Sequence, residues 1–568
     1  MTVQKTDVNR GRGAWRSKTF YEVYPMTFAD GNGDGMGDLR GIISKLDYLA
    51  ELGVGYLWLT PVYVSPCYDN GYDIADYRAI DPRFGTMADF DELLTAAHAR
   101  GMGIIMDMVV NHTSTEHRWF QEALKGPDNP YRDYYIWKDP VNGGVPNNWV
   151  SKFGGSAWEY DAASGQYYLH LYEVHQADLN WENPRVRDEV VDIMRFWAEK
   201  GIDGFRLDVI NNISKDQRFP NDTFETPSHD GRTFYSDGPR VHEYLHMLNE
   251  KVFAPYGLIT VGELSSATPE NVVRYTCPTC EELDMGFTFH HMKVDYQGGA
   301  KWTPAGYRLT DLKRAIAVWQ QAMLAGNGWN ALFWTNHDQP RAISRFLDDS
   351  EAYRETSAKN LAIVEFGLSG STFVYQGEEL AMRNPRFTDI SQFEDIESTN
   401  AYHGLVDGGM TGDEALRIVC AKSRESCRVP MRWDDSPWHG FTTGTPWFYG
   451  PEGDDYPASA ECSRADASSA WHTYRRLIAL REQMPVLVDG DFSLIAPEDE
   501  RVFAYERALG GARALVVSNF TGEHVAFSCP QLREGSWKVL EDTHGRAEVG
   551  AELELAPYEA MMLSCGVS

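Results

Sequence analysis

Short apolar segments alternate along the chain with segments in which apolar residues recur at helical spacing. In residues 42–52 the apolar positions fall on one helix face, and Gly53 ends the pattern. Residues 104–110 are almost continuously apolar, as in a strand that is buried on both faces. With similar short runs, the pattern predicts eight strands, at residues 21–25, 56–59, 104–110, 204–210, 258–263, 283–289, 331–336 and 372–376.

Two of the predicted helices carry clear end signals. Thr86 and Asp89 predict a capped start for a helix over residues 87–100. A second helix begins at Pro184 and ends before Gly201, which follows the preference for Pro at the start of helices and Gly after their end. Strands joined by helical crossovers predict an α/β fold, a (β/α)₈ TIM barrel.

Two regions interrupt the alternation and predict further domains. Residues 112–175 follow the third strand, lack helical periodicity and are rich in Gly, Asn, Tyr and Trp, so we predict a small inserted B domain there. Short strand-like runs after the barrel predict a C-terminal antiparallel β-domain, a β-sandwich, over residues 483–568. The barrel then comprises residues 1–111 and 176–482. Within it, residues 408–457 are predicted to be loop-rich.

The charge balance limits the partners of this chain. Its 568 residues carry 52 Lys and Arg against 83 Asp and Glu, a formal net charge of −31. That negative charge argues against nucleic acid or an anionic membrane as a partner. An apolar fraction of 43% and 17 Trp exclude wholesale disorder. No apolar window has the length of a membrane span, and residues 1–20 lack the apolar core of a signal peptide.

The cysteines point to a reducing compartment. Eight cysteines scattered over the chain predict reduced thiols and a cytoplasmic location. Cys277 and Cys280 form a lone C-x-x-C pattern, and a zinc site would need a second pair. We therefore interpret these two as incidental thiols on a loop.

Polar side chains follow several predicted strands at the end where (β/α)₈ enzymes have their active sites. Arg206 and Asp208 lie two residues apart in the fourth strand and so share a face. Glu263 ends the fifth strand, and Asp338 follows the seventh. The fold therefore brings three carboxylates and one guanidinium to a single mouth. Paired carboxylates are the groups that glycoside hydrolysis requires.

Glycoside hydrolysis requires different protonation states of the two carboxyl groups. One must stay ionised to attack the anomeric carbon, and we expect Arg206 to keep the pKa of Asp208 low. The second must stay protonated so that it can donate to the leaving oxygen. In a retaining enzyme the two carboxyl groups are about 5–5.5 Å apart. Aromatic side chains would form the walls against the sugar, with Tyr72, Phe153 and Trp334 as candidates.

Four signatures resemble those of the α-amylase superfamily, glycoside hydrolase family 13. They are DMVVNH at residues 107–112, GFRLD at 204–208, GE at 262–263 and NHD at 336–338. The resemblance implies that Asp208 is the nucleophile, Glu263 the general acid/base and Asp338 the residue that holds the sugar in the −1 subsite. It also implies that further side chains contact the substrate: Asp69, Tyr72, His112, Arg206, His337 and Arg428.

Two more features resemble the oligo-1,6-glucosidase subgroup of this family. One is QADLN at residues 176–180, which begins with the candidate substrate-binding residue Gln176. The other is Val209 directly after the nucleophile, which in that subgroup accompanies cleavage of linkages other than α-1,4. The resemblance implies short saccharides rather than long polysaccharides as substrates.

Three other runs resemble the trehalose-6-phosphate hydrolases of the family: FYSDGPR at residues 234–240, FHHMKVDY at 289–296 and GGAKW at 298–302. The resemblance implies hydrolysis of a phosphorylated small-molecule disaccharide, trehalose 6-phosphate, to glucose and glucose 6-phosphate. Lys293 would then pair with the phosphate at the +1 subsite, with Lys301 and Arg218 as weaker candidates. Three features near the predicted barrel mouth depart from the pattern of that subgroup: Asn212, the run AMRNP at residues 381–385, and Arg432.

Other functions remain open at this point. An oligo-1,6-glucosidase would act on neutral, isomaltose-type sugars, and a sucrose isomerase would use the same residues with water excluded. Non-catalytic relatives that partner membrane transporters carry a membrane span and lack triad residues, and neither property holds for this sequence. We expect no organic cofactor.

One glycine-rich loop has the spacing of a calcium site. Asp30, Asn32, Asp34 and Asp38 fall at positions 1, 3, 5 and 9 of the loop. The bidentate Glu at the twelfth position of an EF-hand is absent. Many members of family 13 carry Ca²⁺ here, with the main-chain carbonyl of Met36 as a further ligand. The resemblance therefore implies a structural Ca²⁺ far from the chemistry.

Overall fold

A computed structural model describes residues 13–223, 230–304, 306–451 and 454–566. Eight parallel strands close into a barrel in which each strand pairs with its neighbours in chain order and the last pairs with the first. They are Phe20–Val23, Tyr56–Leu59, Gly103–Val109, Gly204–Asp208, Ile259–Glu263, Met285–Phe287, Asn330–Leu332 and Ser371–Tyr375. The predicted (β/α)₈ barrel is confirmed. Residues 1–12, where the sequence lacks a signal-peptide pattern, lie outside the described part of the chain.

Burial on both faces explains the apolar strand runs. All seven residues of Gly103–Val109 are buried, including the polar Asp107, which faces the active site described below. The sixth and seventh strands are shorter than predicted. The chain leaves the sheet at residues 288–289 and 333–336, because these residues turn into the loops at the barrel mouth.

The helices surround the barrel, and their ends follow the predicted caps. The Thr86 side chain accepts from the Asp89 N–H while the Asp89 side chain accepts from the Thr86 N–H, so Met87–His98 begins with a capping box. Pro184–Lys200 ends at Gly201, whose φ of 102° is left-handed. The larger α-helices are Leu39–Ser44, Leu46–Leu52, Met87–His98, Arg118–Ala123, Pro184–Lys200, Val241–Leu248, Pro269–Thr276, Leu309–Gly326, Arg354–Phe366, Ile396–Asp407, Gly412–Lys422, Ala460–Ala465 and Ala470–Gln483.

The segment between the third and fourth barrel strands forms a small unit beside the barrel mouth. Its three-stranded antiparallel sheet consists of Trp137–Lys138, Trp158–Asp161 and Gln166–Leu169. Its two ends are joined where His112–Ser114 pairs antiparallel with Gln176–Asp178. Its apolar cluster also includes Phe219 and Tyr235, which follow the fourth barrel strand. This packing makes the unit one wall of the mouth.

The C-terminal part is antiparallel β-structure, as predicted. Five strands form one sheet: Asp491–Ile495, Val502–Leu509, Ala512–Asn519, Lys538–Asp542 and Ala560–Cys565. Val525–Phe527 and Leu553–Leu555 form a second, two-stranded sheet. The first strand of the large sheet, Asp491–Ile495, was not predicted, although the turn pair Asp489-Gly490 directly precedes it.

One interpretation of the sequence is incomplete and one is wrong. In the described part of residues 408–457, the predicted loop-rich segment also contains the helix Gly412–Lys422, which a capping box of Thr411 and Glu414 starts. Cys277 and Cys280 are bonded in a disulfide rather than being two incidental thiols. A turn in which the Cys280 N–H donates to the Cys277 carbonyl places their Cα atoms 5.5 Å apart, within bridging range. The predicted cytoplasmic location remains a prediction.

Among the described residues, no helix combines the length and the apolar content that a membrane crossing needs.

Candidate active site

The three predicted catalytic carboxylates meet in one pocket at the carboxyl ends of the barrel strands. Asp208 and Glu263 are the last residues of the fourth and fifth strands, and Asp338 follows the seventh. The pocket encloses about 1040 Å³ of empty space, part of it open to solvent. Of the predicted site residues, its lining includes Asp69, Tyr72, His112, Phe153, Gln176, Asp208, Glu263, Lys293 and Asp338.

Three other predicted site residues are buried directly behind the residues that line the pocket, and two lie away from it. Arg206, His337 and Arg428 are each at most 3% exposed and contact the lining carboxylates. Trp334 lies in the protein interior, where its indole N–H donates to the Leu361 carbonyl at 2.9 Å, so it forms no wall against a sugar. Arg218 is 82% exposed, pairs with Asp216 and is not part of the lining.

One guanidinium joins the nucleophile candidate to the general acid candidate. Arg206 donates through one amino group to Asp208 Oδ1 at 2.6 Å and to Asp107 Oδ1 at 2.9 Å. Its other amino group donates to Glu263 Oε2. Because both amino groups belong to one planar fork, the Asp208 and Glu263 carboxylates lie close together. The separation of about 5–5.5 Å expected for a retaining enzyme stays a prediction.

The expectation that Arg206 holds the pKa of Asp208 low is wrong. Burial raises the pKa of Asp208 to about 6, Arg206 opposes that shift only in part, and the Asp107 carboxylate adds to it. Burial likewise raises the pKa of Glu263 to about 7, against Arg206 and with the Asp208 and Asp338 charges. The order of proton loss still matches the assigned roles, since Asp208 ionises before Glu263.

Asp338 is held in the ionised state by three cations. Burial would raise its pKa, but His337, Arg424 and Arg428 hold the pKa well below its usual range. Arg428 donates to Asp338 Oδ1 at 2.8 Å. His337 has a pKa of about 9 despite burial, because Asp338 and Glu22 stabilise the imidazolium. Asp338 is therefore suited to accept hydrogen bonds from a substrate and unsuited to transfer a proton.

Buried ion pairs close one end of the pocket. Arg424 donates to Asp69 Oδ1 and to Asp395 Oδ1, each at 2.8 Å. Gln176 donates to Asp69 Oδ2 at 3.1 Å. The Phe153 ring lies 4.9 Å from the Arg424 guanidinium. Asp69, Phe153 and Arg424 therefore form a tightly linked part of the pocket wall.

Arg424 is a pocket residue that sequence reasoning missed. It lies in a short 3₁₀ helix, Arg424–Cys427, which follows the helix Gly412–Lys422. Its one signal is the charge-rich run RESCR at residues 424–428, which ends in the predicted Arg428.

The pocket lining also includes a group of three basic side chains, Lys152, Arg232 and Lys293, which we call the cation cluster. Lys152 and Arg232 both pair with Asp230, at 3.0 and 2.9 Å. Lys293 donates to the Ser265 carbonyl at 2.7 Å. Burial, together with the neighbouring cations, lowers the pKa of Lys152 and of Lys293 to about 8. The cluster is thus a concentrated positive charge within the catalytic pocket.

Sequence reasoning found one member of the cation cluster and missed two. Lys152 precedes the predicted Phe153, and Arg232 precedes the quoted run at residues 234–240. Lys301 also lines the pocket, but Glu397 neutralises it at 2.7 Å.

The residues that depart from the subgroup pattern lie mainly outside the pocket. Arg383 pairs with Asp454, and Arg432 pairs with Asp455. Neither arginine is part of the lining. Asn212 donates to the hydroxyl of Tyr172, which does line it.

The predicted calcium loop is a series of tight turns. Asp30 Oδ1 accepts from the Asn32 N–H, Asn32 Oδ1 from the Asp34 N–H, and Asp34 Oδ1 from the Met36 N–H. Asp38 instead caps the helix Leu39–Ser44. Across the described ranges, no group of three His, Cys, Asp or Glu side chains is placed to hold a metal ion. A cation here would therefore depend on Asn32 and main-chain oxygens as well as on carboxylates.

Comparisons with known proteins match nearly the whole chain. The model of the α-amylase catalytic domain matches residues 22–490, and that of the maltogenic amylase C-terminal domain matches residues 492–562. A trehalose-6-phosphate hydrolase of Bacillus subtilis (strain 168) is 53% identical over 96% of this chain and 97% of its own. An oligo-1,6-glucosidase of Parageobacillus thermoglucosidasius is 46% identical over 96% and 98%. The crystal structure of Bacillus licheniformis trehalose-6-phosphate hydrolase superposes with a TM-score of 0.92 at 50% identity, covering 97% of this chain and 100% of that one.

Proposed function

This chain belongs to the α-amylase family of glycoside hydrolases, family 13, and from that membership we propose that it hydrolyses trehalose 6-phosphate to glucose and glucose 6-phosphate. The observation that carries the proposal is the cation cluster beside the catalytic carboxylates. The relatives at 50–53% identity named trehalose-6-phosphate hydrolase support it.

The cation cluster matches the chemistry of a phosphorylated sugar. Removing a phosphate dianion from water is costly unless cations or N–H groups replace the water. Lys152 and Arg232 share the single carboxylate of Asp230, while Lys293 contacts a neutral carbonyl. The cluster therefore retains positive charge for a ligand. A neutral disaccharide would not use that charge.

The first half of the reaction uses Asp208 and Glu263 together. The Asp208 carboxylate attacks the anomeric carbon of the glucosyl unit at the closed end of the pocket. Glu263 donates its proton to the oxygen that leaves with glucose 6-phosphate. Arg206 contacts both carboxylates, so it stabilises the negative charge that grows on Glu263 as the proton leaves.

The second half reverses the proton transfer. Glu263, now ionised, takes a proton from water, which attacks the anomeric carbon and releases Asp208. Two inversions restore the original configuration of the glucose. Asp338 holds the hydroxyl groups of the sugar throughout, with the charged His337 paired behind it, since neither group changes protonation near neutral pH.

The two raised pKa values predict a bell-shaped pH profile. Below about pH 6 Asp208 becomes protonated and cannot attack, and above about pH 7 Glu263 loses the proton that it must donate. We expect kcat/KM for trehalose, a neutral substrate whose leaving sugar must be protonated, to be highest between these values. Its two limbs report the coupled carboxylates rather than either residue alone. The neutral substrate avoids titration of a phosphate. A profile that stays flat up to about pH 9 would contradict the assignment of Glu263.

The proposed substrate is tested by direct comparison. We expect trehalose 6-phosphate to have a kcat/KM roughly 100-fold above those of trehalose and isomaltose, because only it engages the cation cluster. Glucose release from each sugar at equal concentration measures the difference. Turnover of isomaltose without turnover of trehalose 6-phosphate would replace this proposal with the oligo-1,6-glucosidase function, which relatives at 45–46% identity support.

We also propose that Asp30, Asn32, Asp34 and the Met36 carbonyl hold a structural Ca²⁺, since hard oxygen donors at alternate positions suit this ion. If Ca²⁺ binds only the folded protein, a concentration about 100-fold above Kd stabilises it by about 2.7 kcal/mol. We expect a chelator to lower Tm by a few °C and added Ca²⁺ to restore it. Asp34→Ala should abolish the response, while Asp47→Ala, at a remote exposed site, should retain it. Equal Tm with and without chelator would refute the site.

A further inference from the structure

We propose that the Tyr172 hydroxyl donates a hydrogen bond to the leaving sugar, and that Asn212 is the positioning residue that directs this hydroxyl. Neither residue belongs to the four family signatures at residues 107–112, 204–208, 262–263 and 336–338. The inference rests on the proposed function, because that function places the leaving sugar between Glu263 and the cation cluster. The ligand class is a sugar with a free hydroxyl next to the bond that is cleaved.

The main chain of Tyr172 is fixed next to the cation cluster. Tyr172 follows the strand Gln166–Leu169 and lines the pocket. Its carbonyl accepts from the Ser151 hydroxyl at 2.6 Å. The Lys152 N–H donates to the carbonyl of the preceding residue, Leu171, at 2.9 Å. These bonds tie Tyr172 to the segment that carries one of the three cations, so its main chain is in place before a sugar binds.

The Tyr172 side chain is also close to the catalytic carboxylates. Burial raises the pKa of its hydroxyl well above the usual range, and the charges of Glu263 and Asp208 add to the rise. The hydroxyl therefore keeps its proton. The Tyr172 ring centre lies 5.3 Å from that of His112 and 6.2 Å from that of Phe153, both lining residues. A leaving sugar that reaches from Glu263 to the cation cluster therefore lies alongside Tyr172.

Asn212 determines how the Tyr172 hydroxyl can bond. Asn212 is 2% exposed and ends the 3₁₀ helix Ile210–Asn212, shortly after the nucleophile. Its amide nitrogen donates to the Tyr172 hydroxyl oxygen at 3.0 Å. Its amide oxygen accepts from the Ser236 hydroxyl at 2.9 Å, which fixes the orientation of the amide. A hydroxyl oxygen that accepts from Asn212 must direct its own proton to another group.

That proton is available to a ligand. In the part of the chain that the structure describes, the bond from Asn212 is the hydrogen bond that the Tyr172 hydroxyl makes. Because Tyr172 lines the pocket, the acceptor for its proton is a sugar oxygen or the water that the sugar displaces. With an apolar residue at position 212, the hydroxyl could donate or accept. Asn212 thus makes Tyr172 a committed donor, which gives a physical role to a residue that departs from the subgroup pattern.

Tyr172→Phe tests the hydrogen bond in the full chain, since it keeps the ring and removes only the hydroxyl. We expect kcat/KM for trehalose 6-phosphate and for trehalose to fall by the same factor, about fivefold. Both sugars keep the hydroxyl groups next to the cleaved bond. The leaving group of p-nitrophenyl α-glucoside has no sugar hydroxyl, so its kcat/KM should change by less than about twofold. Release of glucose and of p-nitrophenol measures the three rates.

Asn212→Leu tests the direction of the hydroxyl. Leu is similar in size and branching but has no amide, so the Tyr172 hydroxyl is no longer held as a donor. We expect kcat/KM for the two disaccharides to fall about threefold, mostly through KM. In the Tyr172→Phe background, Asn212→Leu should cause no further loss, because no hydroxyl remains to be directed. Losses that add in the double variant would refute the positioning role of Asn212.

Tyr68→Phe is the matched control. Tyr68 donates to Glu116 at 3.0 Å and is not part of the pocket lining, so all three rates should stay unchanged. If Tyr172→Phe lowers kcat/KM equally for all three substrates, Tyr172 only supports the wall, and the bond to the leaving sugar is refuted. If isomaltose is the one disaccharide that is cleaved, the proposed function falls, and the same comparison with isomaltose decides the role of Tyr172.

Discussion

Asp208→Asn lowers kcat/KM by roughly 10⁴-fold or more, which is the largest effect that we expect from any single substitution. Asn has nearly the same shape but supplies no negative charge to attack the anomeric carbon, so the covalent intermediate does not form. The loss should appear in kcat for trehalose 6-phosphate and for p-nitrophenyl α-glucoside alike. Glucose release and p-nitrophenol release measure it.

The same variant should keep its fold. Burial and the Asp107 and Asp338 charges raise the pKa of Asp208 above its value in the unfolded chain. Its ionised form therefore costs stability at neutral pH, and the cost is removed when Asn replaces it. We expect Tm to stay the same or to rise by about 2 °C, while Asp47→Asn changes neither activity nor Tm. Retained turnover in Asp208→Asn would refute the nucleophile.

The barrel was predictable because its strands and helix ends depend on short-range signals. The apolar run at Gly103–Val109 and the caps at Thr86 and Gly201 specify local structure whatever surrounds them. The helix Gly412–Lys422 was missed even though Thr411 and Glu414 form a capping box. Its apolar residues Ala415, Ile418 and Val419 are buried, but the glycine-rich sequence before the helix conceals the helical period.

The catalytic centre was predictable for a similar reason. In a parallel barrel the carboxyl ends of all strands lie at the same mouth. Assigning Asp208 and Glu263 to the ends of two strands was therefore enough to predict that they lie close together. Lys152 lies on a loop, and Arg232 and Arg424 lie in short helical turns between the larger elements of the fold. Which loops face each other depends on packing across the mouth, as in the apolar cluster that links the inserted unit to Phe219. No local pattern contains that information.

The protonation states required the three-dimensional structure. Residue spacing placed Arg206 next to Asp208 and led to the expectation of a low pKa. It gave no measure of burial or of the Asp107 carboxylate, which shares the same guanidinium. Burial and the Asp107 charge together outweigh the lowering effect of Arg206, so the pKa of Asp208 is raised. The pKa of a carboxyl group therefore depends on its burial and on all nearby charges, not only on its nearest charged partner.

Lys293→Met should change substrate preference more than any other single substitution in the pocket. Methionine keeps most of the length of the side chain but cannot donate a charge-assisted hydrogen bond, which contributes about 1.5–3 kcal/mol. We expect the ratio of kcat/KM for trehalose 6-phosphate to that for p-nitrophenyl α-glucoside to fall roughly 10- to 150-fold. Most of the change should be in KM, because the phosphate contact exists before and during the reaction.

Two matched variants make the result specific. Lys301→Met removes a lysine of the same pocket that Glu397 already neutralises, so the ratio should fall much less. Lys251→Met removes a lysine outside the site and should leave the ratio unchanged. If Lys293→Met lowers activity equally on both substrates, Lys293 supports the pocket through the Ser265 carbonyl and does not bind phosphate. A fall in kcat/KM that is confined to trehalose 6-phosphate would instead identify Lys293 as a phosphate-binding residue. Its local positive charge would then explain how a protein with a net charge of −31 binds an anionic substrate.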